Sequence, residues 1–170
     1  AVINPLVKRG IGLRTAYVWG RDVSIRARSV GDNGDQDVNA VVQAFLDDPS
    51  NQSAFTSGQA HTELEKALAT DGNVFLACFT NPRSGRVQVR SLSFLEMQDI
   101  ICNPEDSKDP WFYLREWQTT AVIANGESTA SVNQTRRAYY PALGYRPLNR
   151  PKSINGIPVM WDSPVLHVSV

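Results

Sequence analysis

The apolar positions along this chain change period several times, and each change predicts an element. Asn4-Pro5 offers a capping side chain followed by proline in the first helical turn, so Leu6 to Trp19 reads as a helix that Gly20 can stop. Gly10 and Gly12 weaken that helix, each by about 1 kcal/mol relative to alanine. Val23, Ile25 and Ala27 then alternate with Ser24, Arg26 and Arg28, the period of a half-buried strand. A polar, turn-rich run follows from Gly31 to Asp37. Asp37 can cap the next helix, in which Val38, Val41, Val42, Phe45 and Leu46 recur at helical spacing before Asp47-Asp48-Pro49 ends it. Ser53 to Gly58 reads as a loop. A third helix covers about Gln59 to Thr70, with Leu64, Ala67 and Leu68 facing inward.

Beyond that helix the pattern becomes one of strands. Asp71-Gly72 reads as a helix C-terminal turn, with glycine supplying the left-handed conformation. Asn73 to Thr80 is almost continuously apolar, which predicts a strand buried on both faces. Asn81 to Gly85 makes a hairpin loop, and the alternation around Val87 and Val89 gives the return strand. Leu95 to Ile101 fits either a short helical turn or a strand. Asn103 to Pro110 reads as a turn, and Trp111 to Gln118 as a strand with large residues on both faces. Asn125 to Gln134 is rich in small polar residues and reads as a mobile loop. Tyr139-Tyr140-Pro141 opens a proline-studded stretch that ends in the apolar strand Val165 to Val170. The predicted fold class is α+β, with helices packed on a mixed or antiparallel sheet with hairpins. Residues 1–170 are expected to form one domain. A start without methionine and an end inside a strand lead to the expectation of a fragment of a longer protein.

Charge and cysteine usage narrow the classes. With 170 residues, 42% hydrophobic and 20% charged, the chain can bury a core. Lys plus Arg and Asp plus Glu number 17 each, so the basic excess of a dedicated nucleic-acid-binding domain is missing. No segment approaches the roughly 20 apolar residues of a membrane helix, and no membrane association is expected. Cys78 and Cys102 sit among apolar neighbours and read as free thiols. With His61 and His167 they match no zinc spacing.

Candidate chemistry is sparse. The acidic loop places Asp35, Asp37 and Asn39 at ligand-like spacing, but Ala40 stands where an EF-hand needs glycine and Leu46 where it needs glutamate. Gly10-Ile-Gly12 is too short for a phosphate loop, and Ser57-Gly58 lacks the glycine of a nucleophile elbow. No enzyme activity, cofactor or metal is expected; a small hydrolase using Asp71 or Cys78 would lack partners. Arg21, Arg26, Arg28, Arg86 and Arg90 leave a nucleic-acid-binding module as the alternative. Trp111, Phe112, Tyr113 and Trp117 crowd together, and aromatic residues with arginine are enriched at interfaces. Tyr113, Arg115 and Trp117 are therefore the candidate subunit-interface residues, and Asp71 and Gly72 the structural turn.

Several stretches together resemble the portal proteins of long-tailed bacteriophages. They are NPLVKRGIGLRTAYVWG, DVSIRAR, ELEKALATDGN, the hairpin VFLACF…GRVQVRSL, the acidic NPED, WFYLREW and DSPVLHVSV. The resemblance rests on element order and local wording over most of the chain and is weakest from Thr119 to Gly156. It implies the wing region of a structural subunit, with stem and clip following after residue 170. It further implies a homo-oligomeric ring, typically a dodecamer, at the capsid vertex of a phage or prophage virion. Double-stranded DNA would pass through it, and capsid protein, terminase and head-tail connector would contact it, mostly through regions outside this segment.

Overall fold

The computed structural model describes residues 4–20, 23–27, 37–125 and 128–170. Among these residues four α-helices come first: α1 (Pro5–Trp19), α2 (Val38–Asp47), the single turn α3 (Pro49–Asn51) and α4 (Gly58–Asp71). Eight strands follow, β1 (Asn73–Thr80), β2 (Val87–Leu92), β3 (Met97–Asn103), β4 (Asp106–Asn125), β5 (Ser128–Pro141), β6 (Ser153–Ile154), β7 (Ile157–Pro158) and β8 (Val165–Ser169). They form the sheets β2-β1-β8, β3-β4-β5 and β6-β7 with antiparallel pairing throughout. The fold is α+β.

The helix ends follow the local sequence. Asn4 Oδ1 accepts from the Leu6 N–H at 2.9 Å, and Asp37 Oδ1 from the Ala40 N–H at 3.0 Å. Ser57 caps α4 through Ala60. Asp48 serves two purposes, ending α2 and capping Pro49-Ser50. The chain from Asn51 continues as a π-helical turn, Gln52–Thr56, where a loop was expected from Ser53. At the far end of α4, Gly72 adopts φ 70° and its N–H reaches the Leu68 carbonyl at 3.1 Å. Asp71 is the last helical residue, and its carbonyl accepts from the Asn73 side chain.

β1 lies between β2 and β8, and its two faces enter different apolar layers. Phe75 and Ala77 join Leu92, Tyr113, Ala138, Tyr140, Ala142 and Val165 between the two large sheets. Val74 and Leu76 join Val89 under Phe45, Phe55, Leu64 and Leu68 from the helical side. The layers therefore run helices, sheet β2-β1-β8, sheet β3-β4-β5. The uninterrupted apolar run of β1 has this arrangement as its cause.

Several expectations are corrected. Val23 to Ala27 is not a strand: α2 side chains hold it, Asn39 Oδ1 accepting from the Ala27 N–H and Gln43 Nε2 donating to the Ile25 carbonyl. Leu95 to Ile101 is divided between a 3₁₀ turn, Phe94–Glu96, and β3. The turn expected over Asn103 to Pro110 is confined to Pro104 and Glu105, and β4 already begins at Asp106. The largest correction concerns Asn125 to Gln134. The described residues there, Asn125 and Ser128 to Gln134, are strand and not loop; Ser128 onward pairs with β4 in unbroken register from Asn125↔Ser128 to Phe112↔Pro141. The polar run before Asp37, with Arg21 and Arg28, lies outside the described residues.

Gly72 has nothing within 4 Å of a built Cβ, so its requirement is conformational, not steric. Gly72→Val should destabilise by about 1–3 kcal/mol, because a β-branched residue at positive φ is strained, and Gly72→Asn should cost less. Urea unfolding of the two variants measures the difference; equal midpoints would show that φ does not limit this turn.

Candidate interaction surface

Two of the three candidate interface residues meet where β4 leaves its sheet. Arg115 is opposite Met97, the last residue β3 offers to β4. From Glu116 onward β4 pairs, among the described residues, with β5 alone. The Arg115 guanidinium donates from Nε to Glu96 Oε2 at 2.7 Å and from Nη1 to the Tyr140 hydroxyl at 3.4 Å. It also lies over the Trp117 ring, 4.5 Å from the centroid. Trp117 is partly buried against the apolar layer between the sheets. This is a cross-strand cluster that closes the body of the protein at the root of a ribbon.

Tyr113 is not on that surface. It is 1% exposed, packed edge-on against Phe75 and His167 in the core. The expectation that it stays exposed for a neighbour is corrected: its β4 position faces the layer that β1 fills. Burial, helped by the nearby Cys102, raises its pKa to about 12.

The ribbon itself is the feature that sequence reading missed. Its strands run from Glu116 to Asn125 and from Ser128 to Arg137. At about 3.4 Å per residue, it extends roughly 30 Å past the end of β3. An ion pair between Arg137 and Glu116 crosses its root. Beyond that, Glu127 is the only charged residue from Gln118 to Thr135. An isolated two-stranded ribbon is marginal in water, and an uncharged, unbulged edge is a template for further pairing.

The other candidate groups are occupied in the fold. Arg86 grips Asp48 with both Nε and Nη2, at 2.7 and 2.9 Å, and this pair holds the Asp48 carboxyl well below the usual carboxylate range. Arg90 donates to the Ser50 and Val89 carbonyls. Cys78 and Cys102 are free, and burial pushes the Cys78 thiol up, away from thiolate chemistry. His61 stacks on Trp19 at 3.8 Å and bonds to the Phe55 backbone, with burial lowering its pKa. With the Arg14–Glu65 ion pair, this stack fastens α1 to α4. The adjoining cleft of about 600 Å³, which includes Val23, Ile25, Gln43 and Phe55, contains no ordered nucleophile–base pair among the described residues. Among the described residues, no three His, Cys, Asp or Glu side chains converge as a metal site. No described helix is long and apolar enough to cross a membrane.

Comparison with protein-family models, curated proteins and solved structures finds no match to this chain.

The raised pKa of Tyr113 has a defined sign. The unfolded phenol ionises near 10 and the folded one near 12, so above pH 10 the unfolded state releases the proton first and stability falls as pH rises toward 12. Tyr113→Phe should flatten this alkaline loss in pH-dependent urea unfolding. An unchanged alkaline slope would show that the loss comes from other groups.

Proposed function

We propose that this chain is a non-enzymatic structural subunit that assembles with copies of itself, of the portal type its sequence resembles. In that reading it is wing-region material of a ring at a phage capsid vertex. DNA is packaged and ejected through the ring, and terminase and the head-tail connector dock on it. The observation that carries the self-assembly part is the ribbon beyond Trp117, whose strands are uncharged, extended, two-edged and without cover among the described residues. Such an element gains stability by pairing or packing against another molecule. The exposed apolar residues of α1, with Leu6 78% and Tyr17 87% exposed, add surface suited to burial in an assembly. The portal part rests on the sequence resemblance.

A nucleic-acid-binding module is the second reading, and two observations weigh against it. The net charge is zero, and Arg86 and Arg90 are already engaged within the fold.

Light scattering and negative-stain electron microscopy of the complete encoded polypeptide test the proposal. A closed ring is expected; a stable monomer removes the portal reading. Duplex DNA should bind this segment no more tightly than the nonspecific range of about 10⁻⁴–10⁻⁶ M at physiological salt. Nanomolar affinity with a steep salt slope in a titration would favour the second reading.

A further inference from the structure

The fold protects some sheet edges with care and, among the described residues, leaves β8 and the ribbon bare. On the β2 edge, the fully buried Asn51 imitates a paired strand. Its Nδ2 donates to the Val87 carbonyl at 2.9 Å, its Oδ1 accepts from the Val89 N–H at 2.9 Å, and Nδ2 also reaches the Phe45 carbonyl. On the β3 edge, pairing with β4 is broken by register shifts and Asp99 stands exposed, both devices that discourage edge pairing. The root of β5 is covered by Val159 and Met160, whose N–H donates to the Tyr139 carbonyl.

β8 is treated differently. The bonds from the Cys78 N–H to the Pro164 carbonyl and from the Val170 N–H to the Gly72 carbonyl fix which residues face β1. By alternation, the N–H and C=O of Val165, His167 and Ser169 point the other way. The Val165 carbonyl accepts from Leu143, but His167 and Ser169 have no backbone partner on that side among the described residues. Leu166 and Val168 are exposed beside this edge. A cleft of about 260 Å³ adjoins it, lined by Pro110, Leu143, Tyr145 and His167 among others. The other bare element is the ribbon, with its exposed Val132 and strands that carry no charge from Gln118 to Asn125 and from Ser128 to Thr135.

We propose that copies of this chain associate by strand addition, the β4–β5 ribbon of one copy pairing along the outward edge of β8 in the next. The inference rests on the self-assembly reading and adds the surfaces that meet. One chain carries both halves of the contact, a long donor and a short acceptor, so a single kind of pairing engages β8 and one edge of the ribbon. Pairing of two ribbons through the same edge would be isologous and close at a dimer, and any ribbon-to-ribbon pairing would leave β8 bare. Distal to Arg136 and Arg137 at its root, the ribbon strands carry no cation for a nucleic acid to bind, and their polar residues suit another sheet edge. Val132 of the incoming ribbon would lie over the exposed Leu166 and Val168, removing apolar surface from water at the same time as the backbone groups are paired.

Two variants, each defective in one half, test this. Ser169→Pro removes an outward N–H without touching the β1 ladder, and proline is tolerated on an edge strand. Thr119→Lys with Gln134→Lys places charge on the opposed pair of the ribbon. Sedimentation of the complete encoded polypeptide should show each variant associating more weakly by roughly tenfold or more. An equimolar mixture of the two should recover a heterodimer, because an intact ribbon then meets an intact β8. Amide exchange on the unmodified protein, which needs no variant to fold, should show His167, Ser169 and ribbon amides gaining protection together as concentration rises. Association that survives Ser169→Pro, a mixture that does no better than either variant, or ribbon protection without protection of β8 would overturn the proposal while leaving self-assembly standing. A complete polypeptide that stays monomeric overturns both.

Discussion

Phe75 and Ala77 point into one apolar layer and Val74 and Leu76 into the other, so β1 needs a covering layer on each side. A strand that is apolar on both faces cannot sit at a surface, and this one requirement orders the rest of the chain. The helical layer must come back over the sheet as soon as α4 ends, which is why the reversal at Gly72 is immediate and left-handed. The second sheet must lie on the opposite face, which draws Tyr113 and Tyr140 inward and makes β4 a strand with two unlike ends. Near Phe112 and Tyr113 it is core; beyond Arg115 no third strand pairs with it among the described residues.

Once β1 is central, β2 and β8 become edges, and their backbone groups need partners or water. Asn51 serves β2 because Asp48 and Pro49 start a helical turn directly over it. The same Asp48 fixes Arg86, so capping, edge cover and charge pairing converge on one short segment. Removing the Asn51 side chain would strand the Val87 carbonyl and the Val89 N–H inside the fold, each an unmet group costing about 1–3 kcal/mol. No comparable plug reaches His167 or Ser169 among the described residues.

Much of this was legible in the sequence because it depends on local rules. Asn4, Asp37 and Gly72 announce helix ends, and the apolar run of β1 announces burial on both faces. Failures occurred where tertiary context decides. Val23 to Ala27 alternates like a strand, but α2 side chains take its backbone groups before any strand can. Tyr113 looked like an interface residue because aromatic crowding does not reveal which ring faces a neighbouring sheet. The ribbon is hidden in the sequence because its Ser, Thr, Ala and Asn match loop composition. The overlooked sequence signal was the glycine-led dipeptide Gly126-Glu127 between segments containing Thr119, Thr120, Val122, Ile123, Thr129 and Val132. The candidate surface was therefore only half readable: Arg115 and Trp117 mark its root, and its free length carries no residue type that reads as functional.

That lack of chemistry is itself informative about the ribbon. Charges along a strand edge repel an incoming strand or oblige it to match them, which is how exposed edges are kept single. Here the charged pair Arg137–Glu116 and the neighbouring Arg136 stand at the root, where β4 and β5 are already supported by the body. Both strands then run uncharged to Asn125 and Ser128. The gradient confines any pairing to the distal length, away from the Arg115–Trp117 cluster that anchors it. A ribbon merely tolerated as a solvent-exposed excursion would be safer with lysines or glutamates along its edges, in a chain where one residue in five is charged. Their absence over this stretch fits an element whose free edges are used.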